Sequence, residues 1–204
     1  MKILKINVQR MPKLISHRGL TSQQNTVRAA RLVCNPPYNA SSVELDVRYN
    51  SKNKLVLCHD ANKKDSLSND TFADLCSSPE PLSVVLDMKA CGINEGYAMA
   101  HDVIQQLKGT HHTWQLCSFN EYCVKRLLEL GTHWPVGVIT SGIPINLFNH
   151  LKIDFVSTDF NMLSEDLVQY FHNKGILVYV WALGVGDALP FVVDGVILDY
   201  NQLQ

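Results

Sequence analysis

Short apolar runs alternate with longer amphipathic stretches along the whole chain. The runs are Lys13–Ser16, Ser42–Val47, Lys54–His59, Leu82–Lys89, Thr113–Phe119, Pro135–Thr140, Ile153–Thr158, Gly175–Trp181 and Asp194–Asp199. Most are short and rich in β-branched residues, which predicts strands buried on both faces, as in parallel sheets. Helix signals fall between them. Gln23–Cys34 ends at the sequence NPP, and Glu95–Lys108 ends at Gly109. Glu121–Leu130 starts after Asn120 and ends at Gly131. Leu167–Asn173 follows Ser164, with Glu165 and Asp166 in the first turn, and stops before Gly175. Polar caps at the start and glycines at the end are the expected punctuation.

Regular alternation without a change of composition predicts one α/β domain. Eight principal strands, with Lys54–His59 as an extra one beside the second, fit a compact (β/α)8 TIM barrel. That barrel takes the chain as a single domain, 1–204, with 1–11 as an N-terminal extension. At 204 residues it is short for this fold, whose usual length is about 250 residues. Two places look trimmed. Only Asp60–Pro81 separates the extra strand from the next one, and the polar run Asp60–Asp70 within it reads as a loop. After the last strand and Tyr200 only NQLQ follows, so the final helix is expected to be largely missing. The flank beside the last and first strands should then be apolar, and Met1–Met11 or the second copy of a homodimer would cover it.

Composition narrows the function classes. The chain is 46% hydrophobic and 18% charged, with a formal net charge of -1. That leaves room for a substantial core and gives no support for broad nucleic-acid binding, which carries a basic surplus. The N-terminus lacks an apolar run long enough for a signal peptide, and Ile176–Leu183 is too short to span a bilayer. A cytoplasmic protein is expected. Six cysteines show no CxxC spacing and read as free thiols in a reducing compartment.

The polar residues of the strands carry the candidate chemistry. Within SVELDV, Val43, Leu45 and Val47 share one face, so Glu44 and Asp46 share the other. Two neighbouring carboxylates on a buried strand repel each other and lose hydration. In a barrel of this kind, catalytic groups sit at the C-terminal ends of the strands. His17 and Arg18 fall just past the first strand, His59 after the extra one, and Asp87 and Lys89 at the end of LSVVLDMK. One rim thus receives two imidazoles, three carboxylates and two cations. Three converging carboxylates require a cation, and oxygen-only ligation favours Mg2+ or Ca2+ over Zn2+. Arg18 and Lys89 beside it would suit an anion such as phosphate. Two histidines on the same rim could act as general base and general acid.

The motifs HRG, QQNT, ELDV, CHD, LDMK, CSFN, VYVWALG and DGVILDY occur in the order and spacing of the glycerophosphodiester phosphodiesterase family. The sequence resembles that family from about Leu14 to Tyr200, without a gap from Glu44 to Asp60. The resemblance implies a phosphodiesterase-type TIM barrel, related to the sphingomyelinase D-type enzymes. It implies hydrolysis of glycerophosphodiesters to an alcohol and glycerol 3-phosphate with a divalent cation, in lipid and glycerol metabolism. It also implies roles: Glu44, Asp46 and Asp87 as metal ligands, His17 and His59 as the acid–base pair, Arg18 and Lys89 on the phosphate, and Trp181 on the pocket wall.

Three departures from the family pattern bear on function. Gln24 stands where glutamate is usual, which would remove a charge close to the metal site. Asp87 stands where glutamate is usual and is one methylene shorter. The short Asp60–Pro81 segment should leave the pocket open. An open pocket keeps a second reading alive, phospholipase D-like action on lysophospholipid or sphingolipid headgroups. A non-catalytic phosphate-binding barrel is the third. A zinc site at His101, His111 and His112 lacks cysteine or carboxylate ligands at suitable spacing. Asp194 and Asp199 are expected to shape the rim, and Asp60 to orient His59.

Overall fold

The computed structural model describes residues 11–142, 150–183 and 189–199. Nine strands form one sheet in the spatial order β1-β9-β8-β7-β6-β5-β4-β2-β3, and a pairing of β1 with β2 closes it. The strands are β1 (Lys13–His17), β2 (Ser42–Tyr49), β3 (Leu55–Leu57), β4 (Ser83–Met88), β5 (Thr113–Ser118), β6 (Val136–Thr140), β7 (Phe155–Asp159), β8 (Leu177–Trp181) and β9 (Gly195–Leu198). All neighbours pair in parallel except β2 and β3, which form an antiparallel hairpin with Val47 opposite Leu57. β3 therefore lies outside the ring, and the other eight strands make a closed parallel barrel. Among the described residues, the helices between strands are α1 (Val27–Cys34), α2 (Phe72–Cys76), α3 (Gly92–Leu107), α4 (Glu121–Glu129) and α5 (Glu165–Asn173).

Side-chain alternation splits the core in two. Val43, Leu45, Val84, Leu86, Leu116, Val138, Val156 and Val178 point outward into the large apolar layer under the helices. Ile15, Val85, Cys117, Ile139, Phe155, Tyr179 and Ile197 fill the barrel interior. The rings of Phe155 and Tyr179 lie 5.0 Å apart, and Gln115 Nε2 donates to the Tyr179 hydroxyl at 2.9 Å. Gly137 makes this filling fit, because a Cβ there would lie 2.4 Å from the Phe155 ring. The interior is thus packed wherever it is apolar, and its buried carboxylates are left to one end.

Two helices differ from the sequence expectation. The helix expected from Gln23 begins at Val27, because Asn25 has φ +56° and the Thr26 hydroxyl caps the Ala29 N–H. The segment after the polar run contains α2, which Thr71 and Asp74 start with a reciprocal capping box. The polar run itself holds one 3-10 turn, Ala61–Lys63. On the flank beside β9 and β1, Val196 is buried and Leu14 is half-buried. Residues 1–10 and 200–204, on which the expected cover and the trimmed last helix depend, lie outside the described residues.

His112 is held inside the fold. Its Nδ1 accepts from the Leu82 N–H at 3.1 Å and its Nε2 donates to the Leu75 carbonyl at 2.9 Å. All six cysteines are free thiols. No helix among the described residues is long and apolar enough to cross a membrane.

Candidate active site

The inward positions of the strands turn polar at their C-terminal ends. On β2 the inward residues are Glu44 and Asp46, and on β4 they are Val85 and then Asp87. The parallel register sets Asp46 beside Asp87 and His17 beside Glu44. One oxygen from each of Glu44, Asp46 and Asp87 lies within 4.8 Å of the others. All three side chains are buried.

Cations and donors from neighbouring segments converge on this cluster. Lys89 Nζ lies 3.0 Å from Asp46 Oδ1 and also bonds Asp87 Oδ2. Arg18 Nε lies 3.0 Å from Asp46 Oδ2. The Arg18 backbone N–H donates to the Glu44 carboxylate at 3.2 Å. Two cations face three carboxylates, so the fully ionised cluster keeps one negative charge in excess. Burial, reinforced by Asp46 and Asp87, pushes Glu44 well above the usual carboxylate range. Burial likewise pushes Asp87 up to about 6, with Lys89 pulling against it and Asp46 adding to it. Burial works against the charge of Lys89, but Asp87 and Asp46 outweigh it and hold the ammonium above its ordinary value. Asp87 Oδ1 is buried and has no hydrogen-bond donor among the described residues. A hard divalent cation fits this oxygen set, since it would satisfy the orphaned oxygen and offset the excess charge.

The two histidines flank the cluster, and each has an aspartate behind it. His17 Nδ1 donates to Asp199 Oδ1 at 2.7 Å, which leaves Nε2 toward Glu44 at 4.0 Å. Burial lowers the His17 pKa, against the pull of Asp199. His59 Nδ1 donates to Asp60 Oδ1 at 2.8 Å, and Lys63 holds the other oxygen of Asp60 at 2.8 Å.

A cavity of about 380 Å³ opens at this end of the barrel. His17, Arg18, Glu44, Asp46, His59, Asp87, Lys89 and Trp181 all line it. Its remaining wall is mainly apolar, with Ile139, Leu183 and Ile197 at the side and Phe119 at the rim. Lys89 Nζ lies 5.4 Å over the Phe119 ring, and Trp181 Nε1 is buried without a partner among the described residues.

Gln24 is not at the site. Its side chain is exposed and outside this cavity, because the chain turns at the next residue. Buried Asn25 is the one that reaches the carboxylates: its Nδ2 donates to Asp46 Oδ2 at 2.8 Å and its Oδ1 accepts from the Asp46 N–H at 2.8 Å. Arg48, further along β2, donates from Nε to the Cys58 carbonyl at 3.1 Å. Asp194 lies away from the site and accepts from the Val178 N–H and His172, each at 2.8 Å.

No protein-family profile and no curated protein sequence matches the chain. Solved structures do. A glycerophosphodiester phosphodiesterase from Parabacteroides distasonis superposes with a TM-score of 0.77 at 17% identity, over 91% of this chain and 92% of its own. A phosphodiesterase from Oleispira antarctica, in complex with the product sn-glycerol-3-phosphate, gives 0.77 at 17% identity over 94% of both chains. The glycerophosphodiester phosphodiesterase of Thermotoga maritima gives 0.72 at 19% identity, over 95% and 97%. This is the glycerophosphodiester phosphodiesterase fold. In this chain the mouth of that fold carries the carboxylate cluster, the two cations and both histidines.

Proposed function

We propose that this chain is a metal-dependent glycerophosphodiester phosphodiesterase, a phosphoric diester hydrolase releasing an alcohol and glycerol 3-phosphate. The observation that supports it most is the meeting of three buried carboxylates, two cations and two aspartate-backed histidines at one cavity of the shared fold. We take residues 1–204 as one domain and place it in the cytoplasm, a reading that the six free thiols support.

Glu44, Asp46 and Asp87 would hold Mg2+ or Ca2+, which supplies charge stabilisation to the phosphoryl oxygens when bound. Arg18 and Lys89 bind and orient the phosphate. His17, kept neutral by burial and presenting Nε2, takes the proton of the glycerol hydroxyl next to the phosphate. That oxygen attacks phosphorus and a cyclic phosphate forms. His59, on the more open side, gives its proton to the departing alkoxide. Water then opens the ring, with His59 as base and His17 returning its proton to the glycerol oxygen. Trp181 offers its N–H to the glycerol end of the substrate.

The Phe119 side chain is 53% exposed at the rim of this partly apolar cavity. That favours, as a second reading, phospholipase D-like action on a lysophospholipid, whose apolar chain would lie on this wall while the headgroup alcohol leaves. Purified protein with Mg2+ or Ca2+ should release glycerol 3-phosphate from glycerophosphocholine, and EDTA or His17→Ala should abolish it. Turnover of lysophosphatidylcholine alone would favour the second reading. Turnover of neither, with the cation bound, would leave a phosphate-binding barrel.

A further inference from the structure

We infer that Asn25 is a positioning residue that fixes which oxygen of Asp46 faces the cation, an inference that rests on the cation reading of the same cluster. Asn25 is 5% exposed and lies 21 residues from Asp46 in sequence. Its φ of +56° is left-handed, a conformation that asparagine tolerates better than other side chains of its size. The turn is anchored where the Asn25 N–H donates to the Arg18 carbonyl at 2.9 Å. From that position the carboxamide makes a two-point contact with one residue. Its Nδ2 donates to Asp46 Oδ2, and its Oδ1 accepts from the Asp46 backbone N–H, both at 2.8 Å.

The two-point contact sets both the position of the strand and the rotation of the carboxylate. Asp46 Oδ2 is held by Asn25 and lies 3.0 Å from Arg18 Nε, so Oδ1, buried and 3.0 Å from Lys89 Nζ, is the oxygen left for a cation. Without the amide, only Arg18 among the described residues distinguishes the two oxygens on that side. An aspartate at position 25 would set a second anion against Asp46, and a glutamine is a methylene too long for the same closure. Asparagine serves the backbone and the carboxylate together.

The test separates those two functions. Asn25→Gly keeps a residue suited to positive φ and removes only the amide. Calorimetric titration with Mg2+ and Ca2+ should show affinity about 10- to 100-fold weaker than wild type, the usual loss when an outer partner of a ligand is removed. The thermal midpoint in EDTA should also fall, because the buried Asp46 N–H loses its acceptor. Equal cation affinity in Asn25→Gly and wild type would overturn the inference while leaving the cation reading intact. No cation binding by wild type would overturn both. A measurement on the wild type needs no folded variant. The Asn25 side-chain NH2 resonances should exchange slowly with water and shift on cation titration, and rapid exchange with no shift would also overturn the inference.

Discussion

The His17 imidazole and the Asp199 carboxylate meet at 2.7 Å although 182 residues separate them in the chain. They meet because the first and last strands are neighbours in the closed barrel, with Ser16 beside Leu198. Asp199 fixes the proton on Nδ1 and leaves Nε2 to the cavity. Asp199→Asn should cost about ten- to a hundredfold in kcat, part of the roughly 10²–10⁴ that a positioned acid or base supplies. Asp199 also raises the His17 pKa against burial. The His17 titration in the variant should therefore move further down, and an imidazole NMR titration that stays put would contradict this.

His59 also has an aspartate at its back, but on the surface. Lys63 first, and then His59, holds the Asp60 carboxyl well below its usual range. All three side chains are open to solvent, so water can replace any of them. Asp60→Asn should lower the rate less than Asp199→Asn, and Lys63→Ala should leave it within about twofold. Steady-state kinetics of the three variants side by side would show the order. A larger loss from Asp60→Asn would mean that the outer pair orients its imidazole more tightly than its exposure allows.

The parts of the site that obey local periodicity were legible in the sequence. Glu44, Asp46 and Asp87 could be placed on inward faces because a strand alternates with period two and their neighbours are apolar. The nine strands appear where the apolar runs stand, with no boundary more than two residues away. Asn25 was not legible, because a single left-handed residue carries no periodic signal. The dipeptide Asn25–Thr26 held the clue, since asparagine tolerates a positive φ and threonine is a good helix cap. Helix α2 was missed because five residues are too few for an amphipathic pattern, although Thr71-x-x-Asp74 resembles a capping box. The bond from Asp199 to His17 depends on barrel closure, so reading Asp199 as a rim residue left its partner unnamed.

The closed floor of the barrel gives a stability prediction that is independent of the chemistry. A Cβ at Gly137 would sit 2.4 Å from the Phe155 ring, which is itself packed on Tyr179. Gly137→Ala should cost about 1–3 kcal/mol through overpacking. For a chain of this size that lowers Tm by about 2–4 °C per kcal/mol. The rise in Tm on adding Mg2+ should survive, because the carboxylates lie at the other end of the strands. A thermal melt with and without the cation reads both effects, and an unchanged midpoint would show that Phe155 can leave its seat.

The carboxylate cluster should make cation binding and stability depend on pH in a defined direction. Burial raises Asp87 to about 6, from an ordinary value of 3.8, and raises Glu44 as well. The folded protein therefore binds more protons here than the unfolded chain does. The stability from the protonated groups is fully present below about pH 4 and is lost as pH rises through about 6. A cation needs the carboxylates ionised, so its binding releases protons and weakens in acid. Below pH 6 its affinity should fall by about tenfold per pH unit for each proton displaced. The gain in Tm from Mg2+ should accordingly be large at pH 7.5 and small at pH 5. Asp87→Asn leaves Lys89 its contact with Asp46 at 3.0 Å and removes one buried charge. In EDTA at pH 7.5 this variant should melt no lower than wild type, and Mg2+ should no longer raise its midpoint. A variant that is destabilised in EDTA yet still answers to Mg2+ would show that Asp87 is the counter-ion of Lys89 and that the cation is held without it.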